Sequence, residues 1–427
     1  MNMKNYFVLF WMALALVAGC EAAPNDNNAE EIENEEAAFV VPSAAPVLTK
    51  GQLGMSDAVL GFGANVFSKL VAANPGEDVV FSPASLSLAL SLPDIGAGGE
   101  TAKQLSTLLG FDGKTRDEVA AYYQAVVGRL LTVDESVKIT SVNAVWADVS
   151  FPVKPSYVSD AANYFDADYF SKDFSQKEAL LADINNWCKE NTNGLIPEFL
   201  KQAPDGPLVL ANALYYNAGW GVEFDNDLKT MPFHAATGDR DAVFFGKKGA
   251  FVYQNQNNCE MLSVPYGNGS YDFVAILPAS GKNVSDLVSY LATDEGCTVL
   301  SSFGRSEHNP GSVVELALPK FEVKGRYNRI KDILCDMGAV LPFSQNADFS
   351  GISDEKPLFI DRIIQESVLK LDEKGTEAAA VTMDMMVSAS GEGDDEVPVV
   401  KFVADRPFVF LVREKASGTV LFMGLKN

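Results

Sequence analysis

Histidine is almost missing from this 427-residue chain. Only His234 and His308 occur, and neither sits in a recognisable catalytic frame. Histidine is the usual carrier of protons near neutral pH, so its scarcity argues against most hydrolytic mechanisms. Other enzyme signatures are absent too: no G-x-S-x-G turn, no P-loop, no G-x-G-x-x-G after a strand and no H-E-x-x-H. The chain therefore reads as a non-enzyme, with no catalytic residue, no metal and no cofactor. Cysteine is sparse as well. The five present form no C-x-x-C pair and no zinc-like spacing. Cys188 and Cys335 fall in apolar helical patterns and are expected to be small buried hydrophobes. An oxidising compartment would permit a Cys259–Cys297 bridge. Positive charge is also short: 33 Lys and Arg stand against 57 Asp and Glu, a net charge of −24. That excludes nucleic acid as a partner, because phosphates require concentrated cations.

The apolar run at the N-terminus, Tyr6 to Val17, is too short for a comfortable membrane span. It follows Lys4 and leads into Val17-Ala18-Gly19-Cys20. Positive start, apolar core and small residues before a cysteine have the order of a secretory signal. They resemble the bacterial lipoprotein cleavage box, in which the cysteine is lipidated. The resemblance implies a signal peptide over 1–19, a lipid anchor on Cys20 and an extracytoplasmic location, periplasmic or at the cell surface. Plain secretion, with Cys20 incidental, is the alternative. From Glu21 to Pro46 the residues are mostly Ala, Asn, Glu and Pro, and no basic residue occurs between Cys20 and Lys50. Such a stretch cannot bury enough apolar surface to fold, and residues 20–52 read as an acidic disordered tether.

What is present beyond residue 53 is an ordinary globular composition without a break or a repeat. Helical periodicity marks Val59–Leu70, Ser85–Leu92, Thr101–Leu109, Asp117–Leu131 and Lys177–Cys188. Strand-like runs mark Val137–Trp146, Leu208–Tyr216, Tyr271–Leu277, Val313–Leu318, Glu366–Leu371, Val409–Val412 and Val420–Gly424. Helices dominate the first half and strands the second, which predicts an α+β fold.

One stretch stands apart. Glu373 to Thr382 reads E-K-G-T-E-A-A-A-V-T. Thr376, Ala378, Ala380 and Thr382 alternate with Glu377, Ala379 and Val381, the period of a strand with one small-residue face. Ala and Glu are nevertheless poor strand formers, and Gly375 loosens the start as a hinge would. A polar run, Gly391 to Glu396, follows and reads as an exposed loop. The segment can be an ordinary strand before a loop, or a strand that forms only on condition.

Dispersed blocks decide between these. They are Phe81-Ser82-Pro83-Ala84-Ser85, Gly96 to Thr101, Asn186-Trp187-Cys188 through Ile196, and Leu210-Ala211-Asn212-Ala213-Leu214-Tyr215-Tyr216 with Trp220. Leu318-Pro319-Lys320-Phe321, Ala347 to Ile352, Phe402 to Phe408 and Leu421-Phe422-Met423-Gly424 follow. In this order and spacing, from about residue 53 to the C-terminus, the chain resembles the serpin family. The resemblance implies three β-sheets surrounded by eight or nine helices in a domain over 53–427, with an exposed reactive-centre loop at about 375–397. It implies a monomeric suicide inhibitor: a serine protease cleaves the loop, forms an acyl-enzyme, and is trapped when the loop inserts into the large sheet. The energy comes from a metastable native state. A non-inhibitory member, cleaved as a substrate or acting as a binding protein, is the alternative.

The family's site residues carry over by position. Glu373, Gly375, Thr376, Glu377, Ala378, Ala379, Ala380 and Thr382 match the hinge, whose small side chains enter a packed sheet without overpacking. Ser82, Ser85 and Asn212 match the polar cluster where the sheet opens. Gln365 stands there in place of the usual histidine and cannot titrate. Trp220, Lys320 and Glu373 match the top of the sheet, where the loop first enters, and Lys320 is expected to pair with Glu373. Beyond Thr382 the inward positions include Asp384 and Met386, and a buried unpaired carboxylate would cost several kcal/mol. Family spacing places the cleaved bond at Ala389-Ser390, with Met386-Val387 and Val387-Ser388 as alternatives. No Lys or Arg lies between Lys374 and Lys401. A trypsin-like pocket needs a cation, so elastase-like or subtilisin-like proteases are the expected partners and trypsin-like ones are disfavoured.

Overall fold

Thr49 fixes the first helix by a reciprocal cap. Its hydroxyl accepts from the Gln52 N–H at 3.3 Å, while the Gln52 side chain accepts from the Thr49 N–H at 2.9 Å. The helix that follows, α1, runs Lys50–Ala73. It takes in the last three residues of the expected tether, and Leu48 before it is already buried. The computed structural model describes residues 42–376 and 398–427, apart from 193, 195–197, 205, 225–226, 257, 305–311 and 328. The signal segment, Cys20 and most of the tether lie outside these residues.

Eight further helices follow: α2 (Pro83–Asp94), α3 (Gly99–Leu109), α4 (Arg116–Thr132), α5 (Pro155–Phe165), α6 (Lys177–Asn191), α7 (Val284–Leu291), α8 (Asp294–Ser302) and α9 (Ile330–Asp336). The strands are β1 (Val79–Phe81), β2 (Lys138–Asp148), β3 (Ala167–Lys172), β4 (Leu208–Gly219), β5 (Lys229–Ala235), β6 (Gly238–Asn255), β7 (Cys259–Tyr266) and β8 (Tyr271–Pro278). They continue with β9 (Ser312–Pro319), β10 (Phe321–Arg326), β11 (Arg362–Asp372), β12 (Gly375–Thr376), β13 (Val400–Val403), β14 (Phe408–Glu414) and β15 (Val420–Lys426). The expected helices and strands all appear, usually a few residues longer. Among the described residues this is an α+β fold of nine helices and three sheets.

A six-stranded sheet has the order β10-β11-β12-β4-β2-β3. The other two sheets share the long strand β6: β1-β15-β14-β8-β7 lie on one side of it, and β9 with β13, and β5, on the other. Every residue of β8 and β14 is buried. Their alternate faces both meet apolar neighbours, so the strands read as continuous hydrophobic runs rather than alternating ones. The helix α6 lies on one face of the six-stranded sheet, where Leu180, Ile184 and Trp187 join Ala144, Trp146, Val209 and Ala211 in a cluster separate from the main core.

The four described cysteines are free thiols. The Cys259–Cys297 bridge is absent: Cys259 is fully buried in β7, while the Cys297 thiol in α8 points to the Leu291 carbonyl at 3.4 Å. Cys188 is buried as expected, but Cys335 is only partly so.

Candidate functional site: a half-open seam in the six-stranded sheet

The strands β4 and β11 meet in two different ways along their length. At the lower end they pair directly and in parallel, from Arg362 opposite Val209 to Glu366 opposite Ala213. There the direct pairing stops. At the upper end β12 stands between them, with Thr376 opposite Leu371 on one side and Ala218 on the other. The chain reaches this position by a tight reversal after β11. Glu373 and Lys374 form the turn, the Lys374 N–H donates to Asp372 Oδ1 at 2.8 Å, and Gly375 takes a φ of 139°, which a side chain would strain.

Three neighbours hold the upper end. Trp220, next after β4, is buried. Its indole N–H donates to the Asp372 carbonyl at 2.8 Å, and its backbone N–H donates to the Lys374 carbonyl at 3.1 Å. Its ring stacks on Tyr266, with centroids 4.4 Å apart. The Tyr266 hydroxyl in turn bonds the Thr376 hydroxyl at 2.6 Å, so the first inserted side chain has a polar partner in the core. Finally Lys320, between β9 and β10, pairs with Glu373. Both side chains are less than a third exposed. Burial raises the Glu373 pKa, but the bond to Lys320, its own backbone N–H and the Lys320 and Lys374 charges outweigh it. The group ends below the usual glutamate range.

The polar cluster lies beside the lower end. Ser82 caps α2, its hydroxyl accepting from the Ser85 N–H at 3.1 Å. Gln365, buried in β11, donates to the Ser82 carbonyl at 2.8 Å and accepts from the Ser82 N–H at 3.3 Å. The amide uses both of its chemistries at once, which a single imidazole nitrogen cannot do. Asn212 lies opposite Gln365 on β4 and opposite Asn143 on β2.

The structure thus brings together Ser82, Ser85, Asn212 and Gln365 at one end of the seam, and Trp220, Lys320, Glu373, Gly375 and Thr376 at the other. Glu377, Ala378, Ala379, Ala380, Thr382, Asp384, Met386, Val387, Ser388, Ala389 and Ser390 lie outside the described residues. Sequence reading missed Tyr266 and the Glu366–Arg326 pair, since no motif marks them. Among the described residues no group of acidic, histidine or cysteine side chains has the geometry of a metal site. What the described residues leave at the seam is an unpaired stretch between β4 and β11.

Comparisons agree with this reading of the fold. The family model described as serpin (serine protease inhibitor) matches residues 57–426. The leukocyte elastase inhibitor of Bos taurus is 30% identical over 87% of this chain and 98% of its own length. An uncharacterized serpin-like protein of Thermococcus kodakarensis is 27% identical over 99% and 98%. Among solved structures, the thermophilic serpin tengpin in its native state superposes with a TM-score of 0.77 at 25% identity, covering 91% of this chain and 96% of its own. The fold is that of a serpin. The chain belongs to the serpin family, whose members are in general protease inhibitors rather than catalysts.

Proposed function

We propose that this protein is a suicide inhibitor of elastase-like or subtilisin-like serine proteases. The protease serine attacks the carbonyl of Ala389, the Ala389-Ser390 bond breaks, and the acyl-enzyme is carried along as the loop enters the seam. The observation that carries this reading is the seam itself. Gly375 and Thr376 already occupy its upper end in strand pairing, and directly below them β4 and β11 are unpaired before they close. Insertion would extend an existing strand, without the penalty of starting one.

Continuing the pairing of Thr376 residue by residue would put Thr382 level with Gln365 of β11 and Asn212 of β4. The same register puts Asp384 between Ile363 and Leu210, both buried and apolar. This favours a second reading, in which insertion stalls there and the chain is cleaved as a substrate without trapping. The lipid anchor on Cys20, which would hold the domain at a membrane surface, is part of the first reading. It rests on the N-terminal sequence alone.

Mixing the protein with a pancreatic or leukocyte elastase and running denaturing electrophoresis tests the first reading. A denaturant-stable complex is expected, with trypsin giving none, and the mass of the released C-terminal fragment should begin at Ser390. Cleavage with fully active elastase left over would sink it. The Asp384→Ala variant should need fewer molecules per protease inactivated, by a factor of about two or more, since it removes a buried charge costing several kcal/mol.

A further inference from the structure

Residues 198–200, beyond α6, cross the seam. Leu200 is tied back to α6 by two bonds with Asn185, one donated by the Asn185 side chain at 2.9 Å and one accepted by it at 2.6 Å. The Phe199 side chain packs in the cluster with Val209 and Ala211 of β4. Yet the carbonyls of Glu198 and Phe199 accept from Arg326 at 3.2 and 2.9 Å, and Arg326 is in β10, on the far side of β11. A strand entering between β4 and β11 must pass beneath this strap.

Glu366 sits at the same place. It is the last residue of β11 paired directly with β4 and is opposite Arg326 in β10. Its carboxylate lies 4.0 Å from the Arg326 guanidinium, and its side chain is 16% exposed. One carboxylate oxygen is buried and meets no hydrogen-bond donor among the described residues. A carboxylate taken from water and only loosely paired destabilises the arrangement that buries it.

We propose that Arg326 and Glu366 form a clasp over the fork of the seam, in which Arg326 holds the strap down and the charge on Glu366 keeps the two strands ready to part. Its consequence for protease trapping rests on the inhibitory reading; the clasp itself does not.

Among the described residues, the groups facing Glu366 come from four elements. From β10 come Arg326 and Lys324, the latter also paired with Glu322. From the strap comes Glu198, and from α6 the Cys188 thiol, which burial pushes up to about 12 and keeps neutral. On β4 its partner in register is Ala213. Burial raises the Glu366 pKa, Arg326 and Lys324 partly offset this, and Glu198 adds to it. When the fork parts, water reaches the carboxylate and its pKa returns toward the ordinary 4.5. The closed fork therefore binds the proton more tightly than the open one. It is tightest below pH 4.5 and loosens as pH rises through the raised value. Asp94, which burial lifts to about 6 against the pull of Arg116, also titrates between neutral pH and 4.5. The comparison must therefore be between variants and not between pH values alone.

The experiment is hydrogen exchange and thermal melting of the whole protein, without any protease, from neutral pH to about 4.5. Protection is followed in peptides covering 198–213 and 362–370. Glu366→Gln should raise protection at neutral pH several-fold and remove the part of the pH dependence that wild type shows there. Arg326→Gln should speed exchange of 198–209 about tenfold, the loss expected for hydrogen bonds from a charged donor. If Arg326→Gln does not fold, Arg326→Lys, which keeps the charge but not the fork, is read the same way. Unchanged pH dependence in Glu366→Gln, or unchanged exchange of 198–209 in the arginine variant, would overturn the clasp. Failure to trap elastase would instead count against the inhibitory reading and leave the clasp intact.

Discussion

The sheet built on β8 and β14 and the sheet that holds the seam are made from the same chain and bury comparable strands, yet only one is closed. In the first, β7, β8, β14 and β15 pair without interruption apart from one register shift between Val412 and Arg413. A fully buried ion pair pins it: Arg413 donates two bonds to Asp272, at 2.9 and 3.1 Å, and two more to the carbonyls of Leu300 and Phe303. Every donor direction used there meets an acceptor. In the second, β4 and β11 pair directly over only five positions, and residues 214–217 and 367–370 run past each other unpaired before β12 begins. At the fork Glu366 is buried beside an arginine already committed elsewhere. The difference sets a fully paired sheet beside one with an unpaired stretch. One sheet carries saturated hydrogen bonding and large apolar side chains. The other leaves backbone pairing unused over that stretch.

The largest effect should come from breaking the closed sheet. Arg413→Ala leaves Asp272 buried without its counter-charge and should cost about 3–5 kcal/mol. The thermal midpoint should fall sharply while the relative protection of the two halves of the seam stays unchanged. Local opening of the seam with no loss of overall stability would mean that the two sheets are not separate in the way drawn here.

Trp220→Ala attacks only the upper seam. It removes the stack on Tyr266 and the bond to Asp372, and should cost about 3 kcal/mol, the lower end for a buried aromatic. Exchange at 371–376 should rise far more than exchange at 362–366. Equal rises in both would merge the two ends of the seam into one unit.

The smallest effect is at Lys320. Removing it as Lys320→Ala takes away a half-buried ion pair worth about 1 kcal/mol. The Glu373 pKa is lowered in the fold, so its contribution is present above the ordinary value of 4.5 and is lost as pH falls through the lowered one. Wild type and variant should therefore differ in melting temperature at neutral pH and converge in acid. This is the opposite sign to Glu366, and a pH titration of both variants would separate the two ends of one seam.

Much of this was legible in the residues. Period-3.6 and period-2 patterns located the helices and strands, because those patterns are set by neighbours three or four and two residues away. Ordered blocks such as Phe81 to Ser85 and Leu210 to Tyr216 pointed to the family. The match of Lys320 to Glu373 followed from position alone. The cap at Thr49 was not read because no apolar period begins until several residues later. The Cys259–Cys297 bridge was open on sequence because spacing carries no information about which faces of β7 and α8 the thiols occupy.

The sequence by itself determined the elements, the family and the small-residue character of the hinge, all properties of a local stretch or of blocks in order. Only the tertiary structure decided that Gln365 would serve both backbone groups of Ser82, 283 positions away. It alone placed Tyr266 under Thr376 and carried the strap after α6 over to Arg326. Those contacts depend on how strands distant in sequence are brought side by side, and a one-residue change of register would send each side chain to the opposite face.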